Sequence, residues 1–553
     1  MKILNHKNEL FELLNNSLIE YNKKNTTNLS LIITGSYALS EYKLTNRKPN
    51  DIDLSFVGNT NFYVEKDFIY FLNSKINSFI EREDDNLITL NSTKFGKIEF
   101  VLFNHIDKSW IKPINEFLYI VDSIFLILGK ITMLNYIMSD YYLHNDKYEK
   151  ITNTLNDIIF IDNKINFFEN VNYEEIKPYL FAIINNSCLI FIYYKYDKFL
   201  WWQKYNYFIE QNKIFMPIFL KINGFFENIK KIKNITNFIS FNEILVKNFH
   251  DGFMEKIIND YDFISPSGNE DIFINKIFNN VKKINGGYIL NENETSNLLF
   301  ISHSDEATGI LVNDQIYNLG TINWKPTNNL DLYDIKGNKI YQNIKFKIND
   351  NYIFSSEKNI KINRPKIEFL NKNEIKLNNK QPYFIVSNEK SKIKNFNFSN
   401  RNNDNKINVF LLKWVIQNFT KIPNILLTKS EEVGLSGIKS LKKNIKSNMC
   451  VNFEVSEQDN WEKHGILIRI ADFFTPLKID FFDKISNLLN IYSIPYDIYY
   501  GSGSTDITEL NDIDNSITIA IPSNSIHSMS SMINIINIIY LLKSIWILNE
   551  NLN

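Results

Sequence analysis

Apolar and polar positions follow different rhythms along the chain. Leu10, Leu13, Leu14, Leu18 and Ile19 recur at helical spacing within residues 1–24. Leu29 to Thr34 forms a short apolar run stopped by Gly35-Ser36, which predicts a strand, and a helix-like stretch follows. Asp51-Ile-Asp-Leu-Ser-Phe alternates with period two and predicts a strand, and Lys97-Ile-Glu-Phe-Val-Leu-Phe predicts another. From Val121 to about Phe249 the pattern is helical and aromatic. Ser265-Pro-Ser-Gly-Asn breaks it and is the expected domain boundary. A helix over Asp271 to Lys283 and strands near Gly287–Leu290 and Leu298–Ser302 come next. Residues 316–395 carry short alternating runs between Asn-Asp and Lys-Gly-Asn turns, which predicts an all-β insertion. Beyond Lys406, helices and strands alternate, predicting an α/β layer with a largely parallel sheet, and the chain closes on an amphipathic helix, Met529 to Leu548.

Length and composition set the frame. A chain of 553 residues exceeds what one core supports, so several domains are expected. With 61 basic and 62 acidic residues, the net charge of -1 gives no overall pull towards polyanions or anionic membranes. Cys188 and Cys450 lie far apart, which fits a reducing compartment better than a disulfide framework. The apolar run Tyr179–Tyr194 contains Asn185, Asn186 and Ser187 and falls short of the roughly 20 residues that span a bilayer. With no signal-peptide pattern at Met1-Lys-Ile-Leu-Asn-His, the expectation is a cytoplasmic protein without a membrane partner.

Two groups of residues carry chemistry. In the C-terminal half, His303 ends an apolar strand, and Asp305, two residues on, can hold the second imidazole nitrogen. Asp404 opens a helix, Glu431-Glu432 follows Leu426-Leu-Thr, Glu454 follows Cys450-Val-Asn-Phe, and His527 follows Ile521-Pro-Ser-Asn-Ser-Ile. Strand ends of an α/β sheet gather at one edge. Two imidazoles with three carboxylates suit two divalent ions. Adjacent glutamates let one ligate while its neighbour faces the attacking water.

The order of these groups over residues 256–553 resembles the glutamyl, or tetrahedral, metallo-aminopeptidase family. Ser265-Pro-Ser-Gly-Asn-Glu270, His303-Ser-Asp-Glu306, Asp404-Asn-Lys, Glu431-Glu-Val-Gly-Leu-Ser-Gly, Gly503-Ser-Thr-Asp506 and Pro522-Ser-Asn-Ser-Ile-His-Ser carry the resemblance. It implies that Asp404 bridges two metals (Zn²⁺ or Co²⁺), with His303 and Glu454 completing one site and Glu432 and His527 the other. Glu431 would be the general base, the substrate a peptide cut at its N-terminus, and the assembly a homo-oligomer. The chain departs from the family at Lys406, where Arg is usual, at Asn524-Ser525, where Arg-Tyr is usual, and at Glu454, where Asp is commoner.

The second group is Gly35-Ser36, Arg47, Asp51-Ile-Asp53 and Glu99. Glycine allows close approach to phosphate, and the Ser36 hydroxyl can bond it. Carboxylates two apart on a strand share one side and can hold Mg²⁺, with Glu99 on a neighbouring strand as third ligand. Residues 25–160 resemble the nucleotidyltransferase superfamily, in the branch of abortive-infection toxins. That resemblance implies a nucleoside triphosphate and an acceptor that is RNA, protein or peptide. Lys130 and Asp157 read as helix-face charges, and Trp201, Trp202, Tyr205, Tyr207 and Phe208 as core before a base-stacking surface.

The expected architecture is multidomain α/β: a nucleotidyltransferase-like domain at 1–160, helices at 161–255, an aminopeptidase core at 256–315 and 396–553, and the β insertion at 316–395. The expected function is bifunctional. One rival is a nucleotide-transferring toxin or modifying enzyme whose peptidase-like part only binds a peptide or protein. Another is a tailoring enzyme of peptide natural products.

Overall fold

A computed structural model describes the chain except for residues 1–5, 58–61, 84–86, 102–109, 145–147, 194–211, 230, 280, 313–314, 321, 323–328, 349–366, 371–376, 378–380, 395, 402, 473–474, 476–477, 502 and 529. Trp201, Trp202, Tyr205, Tyr207 and Phe208 therefore lie outside the described residues. Two compact units form, Met1–Asp251 with Ile491–Ser493, and Gly252–Asn490 with Ile494–Asn553. The expected boundary at Ser265–Asn269 is corrected: Ser265 is buried inside the second unit. No helix among the described residues is long and apolar enough to cross a membrane.

The first unit holds a seven-stranded mixed sheet. Its order is Ser78–Glu83, Leu87–Ser92, Gly96–Val101, Asp51–Phe56, Leu31–Thr34, Leu118–Val121 and Ile111–Pro113. Asp51–Phe56 runs parallel to Gly96–Val101 and antiparallel to Leu31–Thr34. The first helix, Lys7–Asn25, buries Leu10, Leu14, Leu18 and Tyr21 along one stripe, with Leu13 at its margin, whereas Ile19, expected on the same face, is exposed. The hairpin Ser78–Glu83/Leu87–Ser92 carries no such sequence signal on its outer strand, where Glu81, Arg82 and Glu83 face solvent. Long helices follow, among them Ser123–His144, Tyr148–Ile165 and Tyr173–Tyr193.

The second unit is built on an eleven-stranded sheet. At its centre, Asn424–Thr428, Leu298–His303, Met449–Glu457 and Asn515–Ser523 run parallel in that spatial order. Their apolar side chains explain the position: Leu298, Phe300, Ile301, Leu427, Val451, Phe453, Ile519 and Ile521 are all buried, as parallel strands covered on both faces require. The sheet is mixed rather than largely parallel, because Gly287–Asn291, Ile466–Asp472 and Ser531–Asn534 join it antiparallel. A separate five-stranded sheet runs from Thr308–Val312 to Tyr383–Ser387 around Leu311, Ile316, Leu330, Leu332 and Ile385.

Two predicted helices are corrected. Asp271–Ile277 is helical, but Lys282–Ile284 is a strand pairing with Gly287–Asn291. The last helix is Ile535–Leu552, preceded by the strand Ser531–Asn534, and it is buried on nearly every face rather than amphipathic. Ile535-Ile-Asn-Ile-Ile-Tyr-Leu-Leu is apolar almost all round, which suits full burial.

Candidate metal centres

The four parallel strands deliver the C-terminal group to one edge. His303 is the last residue of its strand and lies in register with Thr428 on the next, three residues before Glu431. Glu454 lies within Met449–Glu457, and His527 follows Asn515–Ser523. Asp404 precedes the helix Lys406–Asn418.

Asp404 divides its carboxylate between two sets. Its Oδ1 lies 3.3 Å from His303 Nε2, which is 3.2 Å from Glu454 Oε2. Its Oδ2 lies 3.4 Å from His527 Nε2, which is 3.1 Å from Glu432 Oε2. Within each set of three residues, the ligand atoms lie within 4.8 Å of one another. Glu432 Oε1 is buried without a hydrogen-bond donor among the described residues. A cation would satisfy that orphaned oxygen, and the imidazole–carboxylate donor set suits zinc-like ions. Gly320, at φ +81°, backs this group: a Cβ there would sit 3.0 Å from Glu432 Oε2.

Electrostatics follow from the crowding. Burial disfavours the charged imidazole of His527, but its hydrogen bonds with Asp404 and Glu432 outweigh that and raise its pKa to about 11. Asp404 is held well below the ordinary carboxylate range; burial opposes this, and His303 and His527 prevail. Glu431 is pushed well above the carboxylate range by desolvation, with His303 opposing and Glu454 and Glu432 adding.

A layer of buried polar groups holds these side chains. His303 Nδ1 lies 3.2 Å from the Asp305 carbonyl oxygen and 3.4 Å from Asp305 Oδ1. The Glu431 and Glu432 amides donate to the same Asp305 carboxylate, at 3.1 and 3.2 Å. Asp305 thus meets both the imidazole, as its spacing predicts, and the turn that carries the two glutamates. Asn405 Nδ2 and Asn452 Nδ2 donate to the two oxygens of Glu454, at 3.1 and 2.8 Å. Thr428 donates to buried Asp506 at 2.5 Å, and burial raises Asp506 to about 7. Lys406, at the position where Arg is usual, is buried and pairs with Glu306 at 2.9 Å. Asn405 lies within Asp404-Asn-Lys but has no role of its own in that motif, and Asn452 gives no periodic or motif signal in the sequence.

In the first unit, register aligns Asp53 with Glu99 on adjoining parallel strands, and Asp51, Asp53 and Glu99 offer oxygens within 4.8 Å of one another. Burial, then the charges of Asp51 and Glu99, raise the Asp53 carboxyl to about 7. Gly35, at φ +64°, lies against Asp53: a Cβ would fall 1.7 Å from its Oδ2, so no other residue fits without displacing that carboxylate. Ser36 is buried in the short helix Gly35–Glu41. Lys97 Nζ sits 2.5 Å from Glu99 Oε1.

Arg47, a sequence candidate for nucleotide contact, is instead engaged by Asp157, with Nε and Nη2 donating at 3.2 and 2.8 Å. Thr45 Oγ1 and Lys130 Nζ reach the same carboxylate at 2.8 and 3.1 Å. Asp157 and Lys130 are therefore not plain helix-face charges. Asp157→Ala is expected to destabilise the first unit by about 3 kcal/mol, the lower end for a broken buried pair because Arg47 is 33% exposed. A denaturant midpoint unchanged from wild type would count against this.

Residues 369–543 match the family model of M42 glutamyl aminopeptidase. Solved structures with a similar course are the TET1 peptidase of Pyrococcus horikoshii (19% identity, TM-score 0.45, 54% of this chain and 99% of that one), a TET aminopeptidase from a marine sediment archaeon of the Thaumarchaeota (17%, 0.44, 54% and 97%) and an aminopeptidase from the archaeon Desulfurococcus kamchatkensis (17%, 0.45, 54% and 94%). The first of these can assemble into a tetrahedron or a large octahedral shell. No curated protein matches the chain. The C-terminal region of the chain is of the M42 glutamyl aminopeptidase family.

Proposed function

We propose that the second unit is a two-metal aminopeptidase that removes N-terminal residues from peptides. The observation that carries the reading is Asp404, whose two oxygens face separate His/Glu pairs. His303 and Glu454 would hold one ion, Glu432 and His527 the other, and Asp404 both. Two such ions lower the pKa of a shared water and stabilise the oxyanion formed at the peptide carbonyl. Glu431, tethered by its backbone amide to Asp305, takes the proton of the attacking water and returns it to the leaving amine. Purified protein loaded with Zn²⁺ or Co²⁺ is expected to hydrolyse aminoacyl-nitroanilides, and no turnover with either ion would end this reading.

A second reading concerns the first unit. Asp51, Asp53 and Glu99 form one acidic group across two parallel strands, which favours Mg²⁺ and a nucleoside triphosphate. Label transfer from nucleoside triphosphates to cellular RNA or protein is the expected activity, abolished in Asp51→Asn/Asp53→Asn. Label transfer with no peptidase turnover would favour a nucleotide-transferring enzyme whose second unit only binds peptide. Label transfer that survives the double substitution would remove these carboxylates from the chemistry.

A further inference from the structure

The segment Ser265–Glu270 has no part in the ligand set, yet it ends on a fully buried carboxylate. Glu270 Oε1 accepts three hydrogen bonds: from Gly268 N at 2.8 Å, Ser430 N at 2.9 Å and Ser430 Oγ at 3.2 Å. Its Oε2 is buried and accepts none among the described residues. An orphaned carboxylate oxygen costs stability, so folding alone does not explain a charged residue here.

The partner explains it better. Ser430 adopts φ +53°, a left-handed conformation unfavourable for a residue with a Cβ, and it immediately precedes Glu431. The backbone at Ser430 sets the direction in which the next two side chains leave the strand end. On the other side of that turn, Asp305 accepts from the Glu431 and Glu432 amides, and Ser267 Oγ donates to Asp305 at 2.6 Å. The segment is itself fixed, since Ser265 N donates to Glu306 Oε1 at 2.8 Å and Glu306 N donates to the Ser265 carbonyl at 2.8 Å. Ser267 and Glu270 therefore hold the Ser430–Glu432 turn from both ends.

We propose that Glu270 is a positioning residue for the general base, holding Ser430 in its left-handed conformation so that Glu431 faces the attacking water. The inference rests on the peptidase reading for its kinetic consequence, though not for its conformational one. The negative charge of the carboxylate makes Oε1 a stronger acceptor for these three donors than a neutral amide oxygen in its place.

The test uses the full-length protein. Glu270→Ala is expected to lower kcat by roughly 10–100-fold, with KM and metal content unchanged, as loss of an outer partner does. Glu270→Gln, which keeps the shape, should lie between it and wild type. Adding Ser430→Gly to Glu270→Ala should restore part of kcat, because glycine takes positive φ without help. Amide hydrogen exchange over residues 428–434, read by mass spectrometry, should quicken in Glu270→Ala. An unchanged kcat, a loss traced to missing metal, or no rescue by Ser430→Gly would overturn the inference. Unchanged exchange would overturn it even if the wild type proved inactive on peptides. Faster exchange with an inactive wild type would instead sustain the brace and refute the peptidase reading.

Discussion

Glu431→Gln is expected to reduce aminoacyl-nitroanilide turnover by about 100- to 10,000-fold, the range of a lost general acid–base group. The side chain keeps its size and its amide stays bonded to Asp305, so the turn should persist. Metal content should also persist, because Glu431 belongs to neither of the two ligand groups. The effect should fall on kcat and kcat/KM together, since proton transfer is felt in the transition state. Turnover that survives the substitution would remove Glu431 from the mechanism. Turnover lost together with metal would reassign it as a ligand.

Asp404→Asn should act on the metals themselves. Asp404 is common to both groups, and an amide there keeps one oxygen and presents a nitrogen that cannot ligate at the other. One position should empty and the other weaken by at least ~10–100-fold, a loss typical even of outer partners. Metal analysis of the purified protein reads this directly. His303→Ala serves as the contrast, because it touches only the Asp404 Oδ1 side. Full metal content in Asp404→Asn would show that the two sets do not share this carboxylate.

The legibility of the two sites differed for physical reasons. His303, Glu431, Glu432 and His527 each follow an apolar run or sit in a short distinctive motif, so strand ends and candidate site residues are legible together. Asp404 is flanked by Asn403 and Asn405 and has no such landmark in the sequence, but the positions of its two oxygens distinguish it in space. The partner of Arg47 gives no sequence signal because it lies 110 positions away, on the helix Tyr148–Ile165. The outer strand Ser78–Glu83 leaves no alternating trace in the sequence because a solvent-facing strand buries too little. The final helix begins later than its spacing predicts because Ser531–Asn534 pairs with Asn397–Asn400, a contact no local pattern encodes.

By itself the sequence determined which residues can ligate, the central strands that end beside them, and the pairing of Asp51 with Asp53 on one side of a strand. These follow from side-chain chemistry and from periods of two and 3.6, which are local. Only the tertiary structure decided that Asp404 serves two sets, that Asp53 meets Glu99 across a strand pair, and that Asp157 claims Arg47. It also decided that Ser265–Asn269, expected as a boundary, leads into Glu270, whose carboxylate accepts from Ser430. Each of these depends on which buried polar groups meet far along the chain, and burial without a partner is too costly to leave that choice to local propensity.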